Sequence, residues 1–298
     1  DVCSSDLHGY CKPRLNIPKS SSSRASRVLE LVHSDVMGPL EVPSISGSRY
    51  VITFIDDYSN WTVEYYMCKK SEALDCFMKY KSSAERHTSQ VLAKLHIHEY
   101  RKSANGEGDD MKLKILRSDN GGEYLSNKFK QYLQDNGIKH ELTVAYTPQQ
   151  NGVAERMNRT LLDLVRSMLH HMSIEKRFWA EAMATAVYIR NRVTSRALPA
   201  KTTPHHLWHC KPPNLSHARV FGAQCWYVIP KSKVKKLDAR AREGVMMGYS
   251  SQSKGYKLWD VQSKKFVVSR DVHFVEEPNQ STAQGELKIG RASCRERV

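Results

Sequence analysis

Three acidic residues stand where predicted secondary-structure elements end or begin. Asp35 closes a short apolar strand, and Asp119 follows the apolar run Leu113–Leu116, after which Asn120–Gly122 turns the chain. Glu155 lies in the first turns of a long helical pattern, and 35 residues separate it from Asp119. If the two strands are neighbours, both aspartates emerge at one edge of a sheet. The chain is therefore expected to bring acids from a sheet and a helix together.

The chemistry of three neighbouring carboxylates requires a cation, because like charges repel one another at short range. Hard oxygen ligands with open coordination positions suit Mg²⁺ or Mn²⁺. Two such ions can activate an attacking oxygen and stabilise a leaving one in phosphoryl transfer. The pattern predicts a catalytic site that holds two Mg²⁺ or Mn²⁺ ions on Asp35, Asp119 and Glu155.

The order of predicted elements is β-β-β-α-β-α-β-α. The predicted strands are Val28–Val36, Tyr50–Ile55, Trp61–Met67, Leu113–Leu116 and Ile138–Val144. The predicted helices of this order start at Ser71, Ser126 and Val153, and a further helix starts at Ile174. This order predicts an α/β fold of the ribonuclease-H-like type, with a mixed five-stranded sheet and helices on both faces. Asp56 and Asp57 compete as metal ligands, but we expect them to close a hairpin and face solvent.

The pattern changes after Val220. Short predicted strands at close spacing indicate a small all-β barrel: Cys225–Ile229, Gly244–Met247, Tyr256–Asp260 and Phe266–Ser269. A basic run lies within this module: Lys231, Lys233, Lys235, Lys236, Arg240 and Arg242. These cations are either a solvated loop or a contact to a DNA backbone.

Composition narrows the class of partner. The net charge of +15 and the pI of about 9.5 favour a polyanion, most often nucleic acid. No apolar run approaches the ~20 residues of a membrane span. The seven cysteines form no C-x-x-C pair, which favours a reducing, intracellular setting. His205, His206, His209 and Cys210 match no strong zinc spacing, so we expect no metal there.

Three sequence words carry a resemblance to a known family. They are H-S-D-V-M-G-P around Asp35, L-R-S-D-N-G-G-E-Y around Asp119 and T-P-Q-Q-N-G-V-A-E-R-M-N-R-T-L around Glu155. With the 35-residue spacing, they resemble the D,D(35)E core of retroviral and retrotransposon integrases, of the Ty1/copia class. The resemblance runs from about Arg14 to Glu277. Four later words, F-G-A-Q-C, K-L-D-A-R-A, M-G-Y-S and S-R-D-V-H-F, resemble the SH3-like module that follows the copia integrase core.

The resemblance implies an integrase that processes DNA 3′ ends and transfers strands, inserting retrotransposon cDNA into host DNA. It implies a homo-oligomer, with no small-molecule substrate or membrane, in the nucleus after a cytoplasmic stage in virus-like particles. Two alternatives stay open: a catalytically impaired DNA-binding relic, and a ribonuclease-H-like nuclease, which the 35-residue spacing and the third word disfavour.

Candidate DNA contacts surround the acids. Tyr146, Asn151 and Asn158 match positions that contact DNA ends or neighbour the metals in related integrases. Arg156 and Arg159 supply positive charge beside Glu155, either for neighbouring phosphates or as ordinary helix-surface charges. In the second module the candidates are Lys235, Lys236 and Arg240.

The expected organisation has a catalytic core and a β module. Residues 28–196 form the core, with an inserted loop at 90–111; 197–217 connect it to the SH3-like module at 218–276, and 277–288 form a linker. Residues 8–27 are a linker and remnant of an N-terminal zinc module. Residues 1–7 and 289–298 resemble translated sequencing-adaptor DNA, so we expect a fragment of a longer polyprotein.

Overall fold

The predicted mixed sheet is confirmed. A computed structural model describes residues 24–94, 112–143, 152–229, 239–250 and 253–275. The first sheet has the spatial order β3-β2-β1-β4-β5. Its strands are β1 (Leu31–Met37), β2 (Tyr50–Asp56), β3 (Thr62–Met67), β4 (Ile115–Ser118) and β5 (Lys139–Leu142). β1 is antiparallel to β2 and parallel to β4, so it lies at the centre.

Helices cover both faces of this sheet, as predicted. They are α1 (Ala73–Lys94), α2 (Gly122–Leu125), α3 (Asn127–Asp135), α4 (Gly152–His171), α5 (Trp179–Arg190) and α6 (Pro204–His209). Alternate residues of β2 point to opposite faces, as in any strand. Ile52 and Phe54 pack with the buried residues of α1 and α3. Val51 and Ile55 pack with those of α4 and α5. Thr53 lies between these two and therefore faces α4.

A second sheet is antiparallel throughout, with the order β10-β6-β7-β8-β9. Its strands are β6 (Gln224–Val228), β7 (Ala241–Tyr249), β8 (Tyr256–Asp260), β9 (Lys265–Ser269) and β10 (Val272–Phe274). Cys225, Tyr227, Met246 and Leu258 are buried inside it. This confirms an all-β module of the expected SH3-like kind.

The two sheets share one hydrophobic core. Val245, Met247 and Trp259 belong to the same buried cluster as the apolar residues of α4 and α5. The Trp259 ring meets the Phe178 ring edge-on, with 5.0 Å between centroids. α5 is buried on nearly all sides, as expected of a helix that lies between two layers.

The expectation that Asp56 and Asp57 face solvent is wrong. Asp56 is fully buried. Its carboxylate accepts hydrogen bonds from the backbone N–H of Leu29 (2.8 Å) and from both the N–H (2.8 Å) and hydroxyl (2.5 Å) of Ser59. Asp57 accepts from His33 Nε2 (2.9 Å) and from the Ala25 N–H (2.8 Å). Both carboxylates are thus satisfied by hydrogen-bond donors of the protein itself. The sequence alone does not indicate that these donors lie next to the two acids.

The histidine segment forms the short helix α6, which the sequence pattern did not predict. The rings of His205 and His209 lie 4.4 Å apart, and His209 lies 4.5 Å from His87 of α1. Trp208 stacks on Trp61. In the described ranges no three His, Cys, Asp or Glu side chains form a group that could hold a metal ion. The expected inserted loop and the terminal segments lie largely outside those ranges.

Candidate active site

The parallel pairing of β1 and β4 brings the two aspartates together. Leu31 pairs with Ile115 and His33 with Arg117. Continued by two more pairs of residues, this register places Asp35 opposite Asp119, which directly follows β4. The two carboxylates therefore leave the central strands at the same level of the sheet, as the neighbouring-strand argument predicted.

Asp35 is held from two sides. Its Oδ1 accepts a hydrogen bond from the N–H of Val36 (2.9 Å), and its Oδ2 accepts one from Asn158 Nδ2 on α4 (2.9 Å). Asn158 is buried, and its Oδ1 accepts from the hydroxyl of Thr53 on β2 (2.8 Å). The chain Thr53–Asn158–Asp35 ties two strands to the helix that carries Glu155.

Asp119 is fixed by the turn that follows it. Its Oδ1 accepts a hydrogen bond from the Gly121 N–H (3.0 Å). A Cβ on Gly121 would lie 3.0 Å from that oxygen and 2.9 Å from the carboxyl group of Glu123. The Asn120 side chain donates to the carbonyl of Thr143 after β5 (3.0 Å), which anchors the turn to the next strand. The N-G-G-E sequence at residues 120–123 therefore fixes the environment of the Asp119 carboxylate.

Glu155 lies in the first turn of α4 and is exposed. Asn158 is three residues further along, so both side chains lie on the same stripe of the helix. Because Asn158 bonds Asp35, this stripe is the one that faces the aspartates.

The electrostatics of the site are those of crowded acids. Burial, together with the negative charges of Asp119 and Glu155, raises the pKa of Asp35 from 3.8 to about 6, against the lowering effect of the hydrogen bonds from Asn158 and Val36. Glu155 is therefore close enough for its charge to reach Asp35. Uncompensated carboxylate oxygens are the donor set that Mg²⁺ and Mn²⁺ prefer, so these residues fit such ions. The described side chains do not form a closed metal-binding group as they stand.

The other predicted site residues divide into two sets. Arg156 and Arg159 are exposed on α4, and Arg240 is exposed beside the start of β7. Tyr146, Asn151, Lys235 and Lys236 lie outside the described residues. The DNA contacts of all seven stay predictions.

Sequence reasoning missed two neighbours of the acids, Thr53 and Glu123. The signal for Thr53 is a single polar residue inside the apolar run of β2. Glu123 belongs to the same word as Asp119, and Lys70 pairs with it at 3.3 Å. The spacing of residues in the sequence does not predict that Thr53 or Glu123 lies near the acids.

Two family models match the chain. Residues 25–148 match the integrase core domain, and residues 223–287 match the retroviral polymerase SH3-like domain. The Retrovirus-related Pol polyprotein from transposon TNT 1-94 of Nicotiana tabacum is 41% identical over 271 residues, which cover 91% of this chain and 19% of the relative. The Pol polyprotein from transposon RE2 of Arabidopsis thaliana is 29% identical over 87% of this chain and 16% of its own length. The Transposon Ty1-LR3 Gag-Pol polyprotein of Saccharomyces cerevisiae is 25% identical over 59% of this chain and 9% of its own length.

Solved structures of low similarity include an intasome and an integrase catalytic core domain. One is the simian T-cell lymphotropic virus intasome in complex with PP2A regulatory subunit B56 gamma, with 14% identity, a TM-score of 0.45, and coverage of 86% of this chain and 82% of the other. Another is the HTLV-2 integrase catalytic core domain in complex with magnesium, with 17% identity, a TM-score of 0.43, and coverage of 62% of this chain and 100% of the other.

The chain spans about one fifth or less of the length of the curated relatives it matches. The match to the integrase core precedes the match to the SH3-like domain along the chain. The chain is similar to Pol polyproteins of both plant and yeast transposons. The chain carries an integrase core domain followed by a retroviral SH3-like domain, and the relatives it resembles are plant and yeast Ty1/copia-type retrotransposon Pol polyproteins.

Proposed function

We propose that this chain processes the 3′ ends of retrotransposon cDNA and joins them to host DNA in a metal-dependent strand transfer. The observation that carries the proposal is the Asn158 bridge. It ties Asp35 of the sheet to the helix of Glu155, on the side where Asp119 emerges. This geometry supports a site to which two strands and one helix each contribute one acid.

Asp35, Asp119 and Glu155 would hold two Mg²⁺ or Mn²⁺ ions. When bound, such ions supply Lewis-acid activation of an attacking oxygen and neutralise charge on a phosphodiester. Asn158 keeps one Asp35 oxygen in a fixed direction, and the Gly121 N–H does the same for Asp119. A rigid set of carboxylates lowers the reorganisation needed when the substrate arrives.

The proposed partners are the cDNA ends and a target duplex, bound by a homo-oligomer. The net charge of +15 supports a polyanionic partner. Arg159 lies one helical turn after Glu155 on the exposed side of α4, where it can contact phosphates near the reacting one, and the exposed Arg156 adds positive charge to the same helix. Reaction on host DNA places the working enzyme in the nucleus, after a cytoplasmic stage in virus-like particles.

The test is a disintegration assay on the full chain. Branched DNA that mimics the integration product is supplied with Mg²⁺ or Mn²⁺ to the wild type, to Asp119→Asn and to Asp163→Asn. Asp163 is an exposed acid of α4 that pairs with Arg166, so it serves as a charge-matched control. We expect metal-dependent joining by the wild type and the control, and background levels from Asp119→Asn.

Two results would contradict the proposal, provided that thermal unfolding shows a folded wild type. DNA binding without strand chemistry would indicate a DNA-binding relic. Cleavage that releases product without joining would indicate a nuclease of the same fold.

A further inference from the structure

A cavity of about 370 Å³ lies beside α4, and Asp35, Asp119 and Glu155 are not among the residues that line it. The α4 residues that line it are Val153, Arg156, Met157 and Thr160. These positions recur at three- and four-residue spacing and form one stripe of the helix. Glu155 and Asn158 belong to a different stripe, since each residue turns the helix by about 100°. One helix therefore presents the acid site on one side and this cavity on the other.

Three arginines reach the cavity, and one of them is already fully engaged. Arg24 donates to the carbonyl oxygens of Asp57 (3.1 Å) and Tyr58 (2.9 Å) and to that of Ala197. Its guanidinium fastens the N-terminal segment to the β2–β3 turn and to the segment after α5. Arg24 therefore forms a wall of the cavity rather than a free donor.

The other two arginines have donors to spare. Arg190, at the end of α5, donates through Nη2 to the Ser195 hydroxyl (2.9 Å), while its Nη1 is buried and has no partner among the described residues. Arg156 is exposed, and its side chain forms no hydrogen bond or ion pair with the described part of the chain. Asp57 also lines the cavity, but its carboxylate bonds His33 and Ala25.

A buried guanidinium donor without an acceptor is energetically unfavourable. Leaving such a group unsatisfied costs about 1–3 kcal/mol. Burial also lowers the pKa of Arg190, which shows that its charge is poorly solvated. Arginine nevertheless keeps its proton in proteins, so an anion is the ligand that relieves both the missing bond and the desolvated charge.

We propose that this cavity binds one phosphate group of a nucleic-acid backbone through the guanidinium groups of Arg156 and Arg190, both of which line it. The planar guanidinium fork matches a phosphate, and the cavity has the volume of a small ligand site rather than of a duplex groove. The inference rests on the proposed function, because it names a second place where the same DNA is held. A strand that leaves the acids would cross α4 and be fixed on its opposite side.

The first measurement is DNA affinity against salt concentration, by fluorescence anisotropy of the branched DNA without divalent metal. The variants are Arg156→Gln, Arg190→Gln and the double variant, with Lys176→Gln as a control. Lys176 is an exposed cation paired with Glu41, outside the cavity. We expect each single variant to weaken binding. The double variant should lose about one unit of log–log salt slope rather than two, since both side chains hold one phosphate.

A loss confined to Arg156→Gln would overturn the proposal, because an ordinary surface contact needs only the exposed arginine. A loss of two units in the double variant would also overturn it, since that indicates separate contacts. If Arg190→Gln does not fold, Arg190→Lys takes its place: it keeps the charge but lacks the planar fork, so binding should still weaken.

A second measurement separates this inference from the proposed catalysis. Inorganic phosphate is compared with chloride at equal ionic strength in a thermal unfolding assay of Asp119→Asn, which has no expected activity. We expect phosphate to raise the unfolding temperature of Asp119→Asn but not of Asp119→Asn/Arg190→Gln. Equal responses of the two proteins would overturn the cavity as a phosphate site, whatever the joining assay gives.

Discussion

At the scale of single residues, the arrangement of the acids depends on uncharged neighbours. Asn158 donates to Asp35 and accepts from Thr53, and both Asn158 and Thr53 are buried. Because the buried Asn158 amide makes a hydrogen bond at both its nitrogen and its oxygen, its side chain has little freedom to rotate. The Thr53 hydroxyl therefore positions Asp35 indirectly, through two successive hydrogen bonds that pass by way of Asn158.

Replacing Thr53 by Val tests this role, since it removes the hydroxyl and keeps the branched shape. We expect the free energy of unfolding to fall by about 1–2 kcal/mol. Joining should also slow, and its half-maximal Mg²⁺ concentration should rise, because Asp35 loses a fixed orientation. Thr88→Val is the control, as its hydroxyl bonds only the carbonyl of Ala84 in its own helix. An unchanged Mg²⁺ dependence would show that Thr53 is merely structural.

Asp56 gives a pH-dependent prediction away from the acid site. Burial raises its pKa from 3.8 to about 6, against the hydrogen bonds from Ser59 and Leu29. The folded state thus binds the proton more tightly than the unfolded chain. The stabilisation is complete below pH 4 and is lost as pH rises through about 6.

The measurement is urea unfolding of the wild type and Asp56→Asn between pH 4 and pH 7. As pH rises from 4 to 7, the wild type should lose up to about 3 kcal/mol of unfolding free energy relative to Asp56→Asn. The hydrogen bonds lost in the variant add an offset that does not depend on pH. A difference that stays constant with pH would contradict the assignment.

At the scale of elements, long periodic or apolar segments were predictable, whereas short ones were not. The predicted helix from Val153 corresponds to α4, and the apolar run Tyr50–Ile55 to β2. α6 and β10 are too short for any periodicity to show. β7 extends on the N-terminal side beyond its apolar part, because Ala241–Glu243 pair with β6 despite their polarity.

The site divides in the same way. The three acids follow from strand ends, spacing and family resemblance. The contacts that orient them join residues far apart in sequence, as Thr53 and Asn158 do, or depend on space around a turn, as at Gly121. Sequence patterns carry neither kind of information.

Two successive glycines provide a test of the turn after β4. Gly121 has a φ of −58°, which any residue adopts, but a Cβ there would meet Asp119 and Glu123. Gly122 has open space around its Cβ position. We expect Gly121→Ala to reduce joining at least tenfold, with less than about 1 kcal/mol change in stability, and Gly122→Ala to keep wild-type activity. Equal activities would show that the turn tolerates displacement of Asp119.

At the scale of the whole molecule, the β module is packed into the core of the first domain. Trp259 contacts Phe178, and Lys257 pairs with Glu181 of α5 at 3.3 Å. A Cβ on Gly222, which has a φ of +86°, would lie within 2.6–2.8 Å of Ile174 and Met172, so the chain enters the module in close contact with the segment before α5. In the described residues, none of the helices is long and apolar enough to cross a membrane.

The shared core predicts cooperative unfolding of both sheets. Trp259→Ala should cost about 3–5 kcal/mol and lower the single transition of the entire chain. Trp226→Ala is the matched control, because Trp226 lies in the same sheet but is 45% exposed, and its loss should cost under about 1 kcal/mol. Calorimetry checks both. Two separate transitions, with only one lowered by Trp259→Ala, would contradict a common core.

The burial of α5 between the two layers also limits how such an element can change by recombination. An exchange that replaced the β module with a foreign one would leave the apolar side of α5 facing water, unless the newcomer carried equivalents of Val245, Met247 and Trp259. The family models end at residue 148 and resume at residue 223, yet the helices that join the two layers lie between those limits. The segment between residues 148 and 223 would therefore have to be exchanged together with the domains on both sides of it.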